Sequence, residues 1–224
     1  GDVQGDNEKD RAIGGTAWDG MKAVFSSRYL MGIAAFIFLM TFVSTMLYFQ
    51  QANLVYEAFA DRGERTAFYA KVDLVVNALT LFFQLYLTAR IIKWLGLGAT
   101  LAIVPLAMTV GFVALGLYPT LAVLVVVQVI YRAGRYGFTK PAREMLWTVL
   151  SREDKYKAKP FLDAAVYRGG DLVNGWLYHG LAVAGLSIGA IALVSAPVAG
   201  IWALLAINLG RRERALARDE GETE

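Results

Sequence analysis

The chain has no cysteine and a single histidine, His179, in 224 residues. Disulfides and thiolate metal centres are excluded, and one imidazole without companion ligands does not make a metal site. The same shortage argues against a membrane hydrolase, because the spacing offers neither a serine–histidine nor a metal–histidine arrangement. No G-x-x-x-x-G-K-[ST] occurs, so Gly169-Gly170 is better explained by close helix packing than as a phosphate loop. Charge is also scarce. Asp, Glu, Lys and Arg make up 18% of the chain, below the roughly 25% of soluble domains. The basic residues are not interleaved with exposed aromatics as a nucleic-acid groove requires. No enzymatic activity, cofactor or nucleic-acid partner is expected.

Hydrocarbon is what the chain has in excess, with 57% hydrophobic residues. Segments without any Asp, Glu, Lys or Arg run from Tyr29 to Tyr56, Leu74 to Ala89, Trp94 to Tyr131 and Leu172 to Gly210. A membrane-spanning helix needs about 20 mainly apolar residues. Six spans are predicted, over 29–56, 67–93, 97–117, 120–149, 160–184 and 188–209, making an all-α polytopic membrane protein. Residues 1–20 read as a polar linker, 21–210 as the helical bundle and 211–224 as a charged tail. The linker opens GDVQGDNEKDRAIGG, with no signal-peptide pattern, and starts at Gly1, which leads us to expect a piece of a longer chain. Just after it, Trp18, Met21, Val24 and Phe25 share one helical face. That face fits either a helix lying on the membrane surface or an extension of the first span.

Loop charge orients the bundle. Lys22 and Arg28 precede the first span, and Arg90 and Lys93 follow the second. Lys140, Arg143, Arg152, Lys155, Lys157 and Lys159 lie between the fourth and fifth, and Arg211, Arg212, Arg214 and Arg218 follow the sixth. On the other side Arg62 and Arg65 are diluted by Glu57, Asp61 and Glu64. Both termini are expected in the cytoplasm, with the bundle in a bacterial inner membrane.

The spans differ in kind. Thr41, Ser44, Thr45, Tyr48 and Gln51 form a polar face on the first; Asp73, Asn77, Thr80, Gln84 and Thr88 form one on the second. The fourth presents Gln128, Arg132, Arg135 and Thr139, and the fifth Asp163, Arg168, Asp171 and Asn174. The third and sixth are apolar or small all round, with Pro105, Pro197 and Gly185-x-x-x-Gly189. Polar groups in hydrocarbon must face protein or water. Spans one, two, four and five are therefore expected to line an interior, with three and six packed outside. That division resembles one six-helix half of a major facilitator transporter.

Ionisable residues within spans are functional candidates. Arg132 and Arg135, three apart, project from one side of the fourth helix, and their repulsion calls for carboxylates or an anionic ligand. Asp163 and Asp171 on the fifth are possible partners, and Arg168 and Asp171 can also pair within it. These charges make either an anion or proton pathway or an interhelical network that locks a gate. Asp73 reads as a charge near the outer interface paired to Arg65 or Lys71, with a proton-coupled carboxylate as the alternative. Asn77, Gln84 and Gln128 suit either a polar solute or interhelical hydrogen bonds. His179 reads as interfacial, beside Trp176 and Tyr178.

One longer segment, KPAREMLWTVLSREDKYKAKPFLDAAVYRGGD, runs from 140 to 171. It resembles the bacterial and plastid ATP/ADP translocase family of nucleotide transporters and their broader bacterial relatives. The shared positions are Pro141, Arg143, Glu144 and Met145, then Lys155, Lys157 and Lys159, then Asp163, Arg168 and Gly169. Asp171 departs from the exchangers, which are richer in basic residues there. The resemblance implies a secondary transporter working by alternating access, with this chain as the C-terminal six of twelve helices and an N-terminal half completing it. The implied solute is a small polar or anionic one, nucleotides such as ATP and ADP among the candidates. Proton-coupled movement of an unrelated solute and a non-transporting six-helix module are the alternatives.

Overall fold

A computed structural model describes residues 17–221, and the described residues form helices and short connections without a strand. The first sixteen residues, most of the expected linker, and 222–224 of the expected tail lie outside them. Helix α1 covers Ala17–Ser26 and α2 Arg28–Ala58. Ser27 separates them with extended backbone, and its hydroxyl accepts from the Leu30 amide as an N-cap. Helix α3, Arg62–Phe82, starts on an Asp61 cap and continues through a π-helical turn, Phe83–Leu87, into α4, Thr88–Leu117. Within α4, Gly96 adopts φ 78° and ψ 172°. Only glycine takes that conformation without strain, and it breaks the rod into two.

Thr120 caps α5, Leu121–Gly134, which passes through a second π turn, Arg135–Thr139, into α6, Lys140–Met145. Helix α7, Arg152–Phe161, is capped by Ser151 and joins α8, Tyr167–Val183, through a third π turn, Leu162–Val166. Helix α9 runs from Ile188 to Gly221. The expected charged tail is thus, as far as 221, the last turns of this helix.

Four stretches among the described residues are long and apolar enough to cross a membrane: Arg28–Ala58, Arg62–Leu117, Leu121–Met145 and Ile188–Arg218. The second is the one broken at Gly96. The fifth expected span is not among them, because α7, its π turn and the start of α8 carry charges that include Asp163, Arg168 and Asp171.

Helix α2 runs through the core, burying Ile33, Phe36, Ile37, Val43, Met46 and Leu47. The second part of α4 and α9 pack closely along their length. A Cβ on Gly210 would fall 2.1 Å from the Gly98 Cα, and one on Gly189 would fall 2.8 Å from the Gly116 carbonyl oxygen. Small residues let helix backbones meet in this way. Gly185 plays no part in the crossing: at φ 83° it ends α8, its amide donating to the Ala182 carbonyl. Helix α1 packs on α7, where a Gly20 Cβ would collide with the Lys157 carbonyl and Phe161. The extended backbone at Ser27 makes the segment a separate helix rather than a continuation of the first span, one of the two expectations for it.

Candidate functional site: a basic cleft

The site begins with a missing donor. Pro141 has no N–H, so it cannot supply the i→i−4 bond that the Gly137 carbonyl would take in an α-helix. One residue earlier the Lys140 amide reaches back to Arg135 rather than Tyr136, which makes the π turn and frees the Tyr136 carbonyl. Two side chains from the neighbouring rod fill these vacancies. The Thr88 hydroxyl lies 2.7 Å from the Gly137 oxygen, and Gln84 Nε2 donates to the Tyr136 oxygen at 3.1 Å. Phe83 stacks on Phe138 with ring centroids 4.8 Å apart, closing the junction. Freed backbone groups at membrane depth must be satisfied by neighbours of this kind. Gln84 is therefore an interhelical bond.

A π turn adds a residue and so turns the following side chains around the helix. Here it brings Arg135, Tyr136, Thr139, Lys140 and Arg143 around one cleft of about 140 Å³, with Met40 of α2 and Tyr167 of α8. The Arg135 guanidinium donates to the Tyr167 hydroxyl and lies 5.6 Å from the ring centres of both Tyr136 and Tyr167. Cation–π contacts hold it without cancelling its charge. No carboxylate among the described residues forms an ion pair with Arg135 or Lys140, and Asp171 acts on Arg135 only through its field. Arg143 pairs with Asp163 at 3.4 Å. Two buried groups of the cleft residues, the Thr139 hydroxyl and Arg143 Nε, have no hydrogen-bond partner. Unsatisfied buried polar atoms of this sort mark strain, function or an absent ligand.

The other candidates divide differently from expectation. Arg132 pairs with Asp73 at 2.5 Å, linking α5 to α3. Asp73 therefore pairs with neither Arg65 nor Lys71, and the acids of the fifth rod do not reach Arg132. Arg168 is exposed and lacks a partner among the described residues, so the pairing of Arg168 with Asp171 is absent. Asp171 is exposed beside Phe49, Trp176 and His179. Asn77 is exposed. Gln128 is buried and donates to Gln51 at 2.9 Å, and Asn174 donates to Thr41 at 3.0 Å. At that second crossing a Gly170 Cβ would lie 2.4 Å from the Thr41 hydroxyl, whereas one on Gly169 would meet nothing.

The segment from 140 to 163 is a hairpin fastened by charge. Arg143–Asp163 and Lys159–Glu144, at 3.4 and 2.6 Å, tie α6 to the next rod, and Lys159 also lies over the Trp147 ring. Lys157 pairs with Glu153 within α7 and holds its carboxyl below the usual carboxylate range, by hydrogen bond first and by charge second. Lys155 lies outside the cleft. The sequence offered no single signal for Tyr136, Tyr167 and Lys140 as cleft residues. Pro141 just after two arginines was the available clue, since it implies a local break in the helix.

A search of curated proteins finds similarity to ADP,ATP carrier protein 2 of Chlamydia pneumoniae, 24% identical over 221 residues, taking in 88% of this chain. The chain spans 41% of that relative's length. No family model matches, and no solved structure matches. That relative is a carrier by its name, and the four long apolar stretches of this chain suit a membrane protein.

Proposed function

We propose that the chain is a six-span half of a secondary transporter, of the major facilitator type, that carries a phosphorylated anion, with nucleotides such as ADP and ATP as the first candidates. The observation that carries this reading is the basic cleft: Arg135, Lys140 and Arg143 converge on one space, and among the described residues only Asp163 forms an ion pair with any of them. Phosphate oxygens would take charge-assisted bonds from the two arginines and the lysine. The Thr139 hydroxyl and Arg143 Nε would find their missing partner there. Tyr136 and Tyr167 offer ring faces at the cleft wall. The two ion pairs that tie neighbouring rods, Arg132–Asp73 and Arg143–Asp163, serve as gating contacts that rearrange as one bundle rocks against another. Arg143 thus belongs to both the cleft and a gate, so that an arriving phosphate competes with Asp163 for it.

In this reading the rod from α3 through its π turn to Gly96, and the charged rod of α7 and α8, also span the bilayer. The Lys- and Arg-rich ends face the cytoplasm, and an N-terminal half supplies the opposite wall. Calorimetric titration of the full-length protein with ADP, and with adenosine as the uncharged control, tests it. Arg135→Gln and Lys140→Gln are each expected to weaken ADP by roughly tenfold or more, the worth of one hydrogen bond to a charged group. Adenosine should bind weakly to the parent and equally weakly to both variants. Equal affinity of ADP and adenosine for the parent would refute the anion assignment.

A further inference from the structure

A second groove, of about 330 Å³, runs between α4 and α9 and shares no residue with the basic cleft. The Gly98–Gly210 contact brings the two backbones together, and Ala99 and Ala102 keep the trough beside it open. Leu106 and Ile207 extend it as apolar wall. At one end stand Arg211 and Arg214, both exposed and neither in an ion pair among the described residues. The Arg214 guanidinium lies over the break at Gly96, where any Cβ would fall 2.0 Å from its nitrogen. Glu213 acts on Arg214 through its field, one opposing charge beside two guanidiniums. Arg212 is engaged elsewhere, donating to the Arg28 carbonyl at 3.4 Å.

Both helices belong to stretches apolar enough to cross a membrane. Beyond the groove their outer faces expose Val110, Ile201 and Leu204, and Trp94, next to Leu95 at the groove's charged end, is largely exposed. An exposed tryptophan at that level is typical of the boundary between hydrocarbon and headgroups. A soluble anion would use the two guanidiniums and ignore the apolar trough. An apolar partner helix would use the trough and leave two cations facing it. We infer that the groove holds one anionic phospholipid, its headgroup phosphate on Arg211 and Arg214 and one acyl chain along Ala99, Ala102 and Leu106. Basic recesses between spanning helices suit such headgroups.

Native mass spectrometry of the full-length protein, titrated with phosphatidylglycerol or phosphatidylcholine of matched chains, tests the inference. The parent should retain one phosphatidylglycerol more firmly than phosphatidylcholine. The double variant Arg211→Gln/Arg214→Gln should weaken that lipid by about tenfold or more and leave phosphatidylcholine unchanged. Ala99→Phe, which fills the trough at an exposed position without touching either arginine, should also displace it. Inorganic phosphate at millimolar concentration should not compete. Retention of phosphatidylglycerol unaltered by both variants would overturn the inference. Displacement by free phosphate would overturn it in favour of a soluble anion.

Discussion

At the scale of single residues, partner choice was the least legible feature. Sequence spacing places Arg132 and Arg135 on one side of a helix, but it cannot say which neighbouring rod brings its carboxylates to that side. Asp73 meets Arg132 because α3 and α5 pack against each other, and Asp163 meets Arg143 because the hairpin folds back on itself. These are long-range consequences of packing that no local pattern encodes. They make a prediction about coupling. Residues in contact show interaction energies of roughly 0.5–3 kcal/mol, whereas distant ones add within about 0.5 kcal/mol. A double-mutant cycle on Arg132→Gln and Asp73→Asn, read by thermal unfolding of the detergent-solubilised protein, should give a coupling above about 0.5 kcal/mol. The cycle on Arg132→Gln and Asp163→Asn should give none outside that error. The reverse ranking would contradict the pairing.

At the scale of elements, helix positions were legible because hydrocarbon length and charge-free runs are one-dimensional signals. Helix α2 matches its expected range closely, and the break at Gly96 falls between the expected second and third spans. The three π turns were not legible. The one at Arg135–Thr139 depends on which carbonyls lose their donor and on which side chains arrive from the neighbouring rod to replace it. The turn at Arg135–Thr139 matters most, because it aims the cleft. Thr88→Val should strand the buried Gly137 carbonyl and cost about 1–3 kcal/mol, whereas Thr88→Ser, which keeps the hydroxyl, should cost much less. Adding Pro141→Ala to Thr88→Val should recover part of the loss, since the alanine supplies an N–H to the freed carbonyls. Denaturation midpoints of the parent, these three variants and Pro141→Ala alone check this. Additive losses in the double variant would argue against the exchange of donors.

At the scale of the whole molecule, small and polar residues sort the bundle. The rods with few polar groups, the second part of α4 and α9, meet through glycines. Three of the rods with polar faces cross at Thr41–Asn174 and Gln51–Gln128 and line the basic cleft, whereas α3, the fourth, gives it no residue. That sorting could be anticipated from which spans carry polar stripes. The position of the cleft could not, because it needs the π turn to gather Arg135, Lys140 and Arg143. The proposed transport belongs to the full-length protein, and this chain spans 41% of the length of the carrier it is similar to. The most direct test is therefore uptake of labelled ADP into proteoliposomes holding the full-length protein, compared with its Arg135→Gln/Lys140→Gln variant at equal incorporation. Saturable uptake by the parent is expected, competed by unlabelled ATP and not by adenosine, with loss of most of that uptake in the variant. Undiminished uptake by the variant would contradict the proposed function.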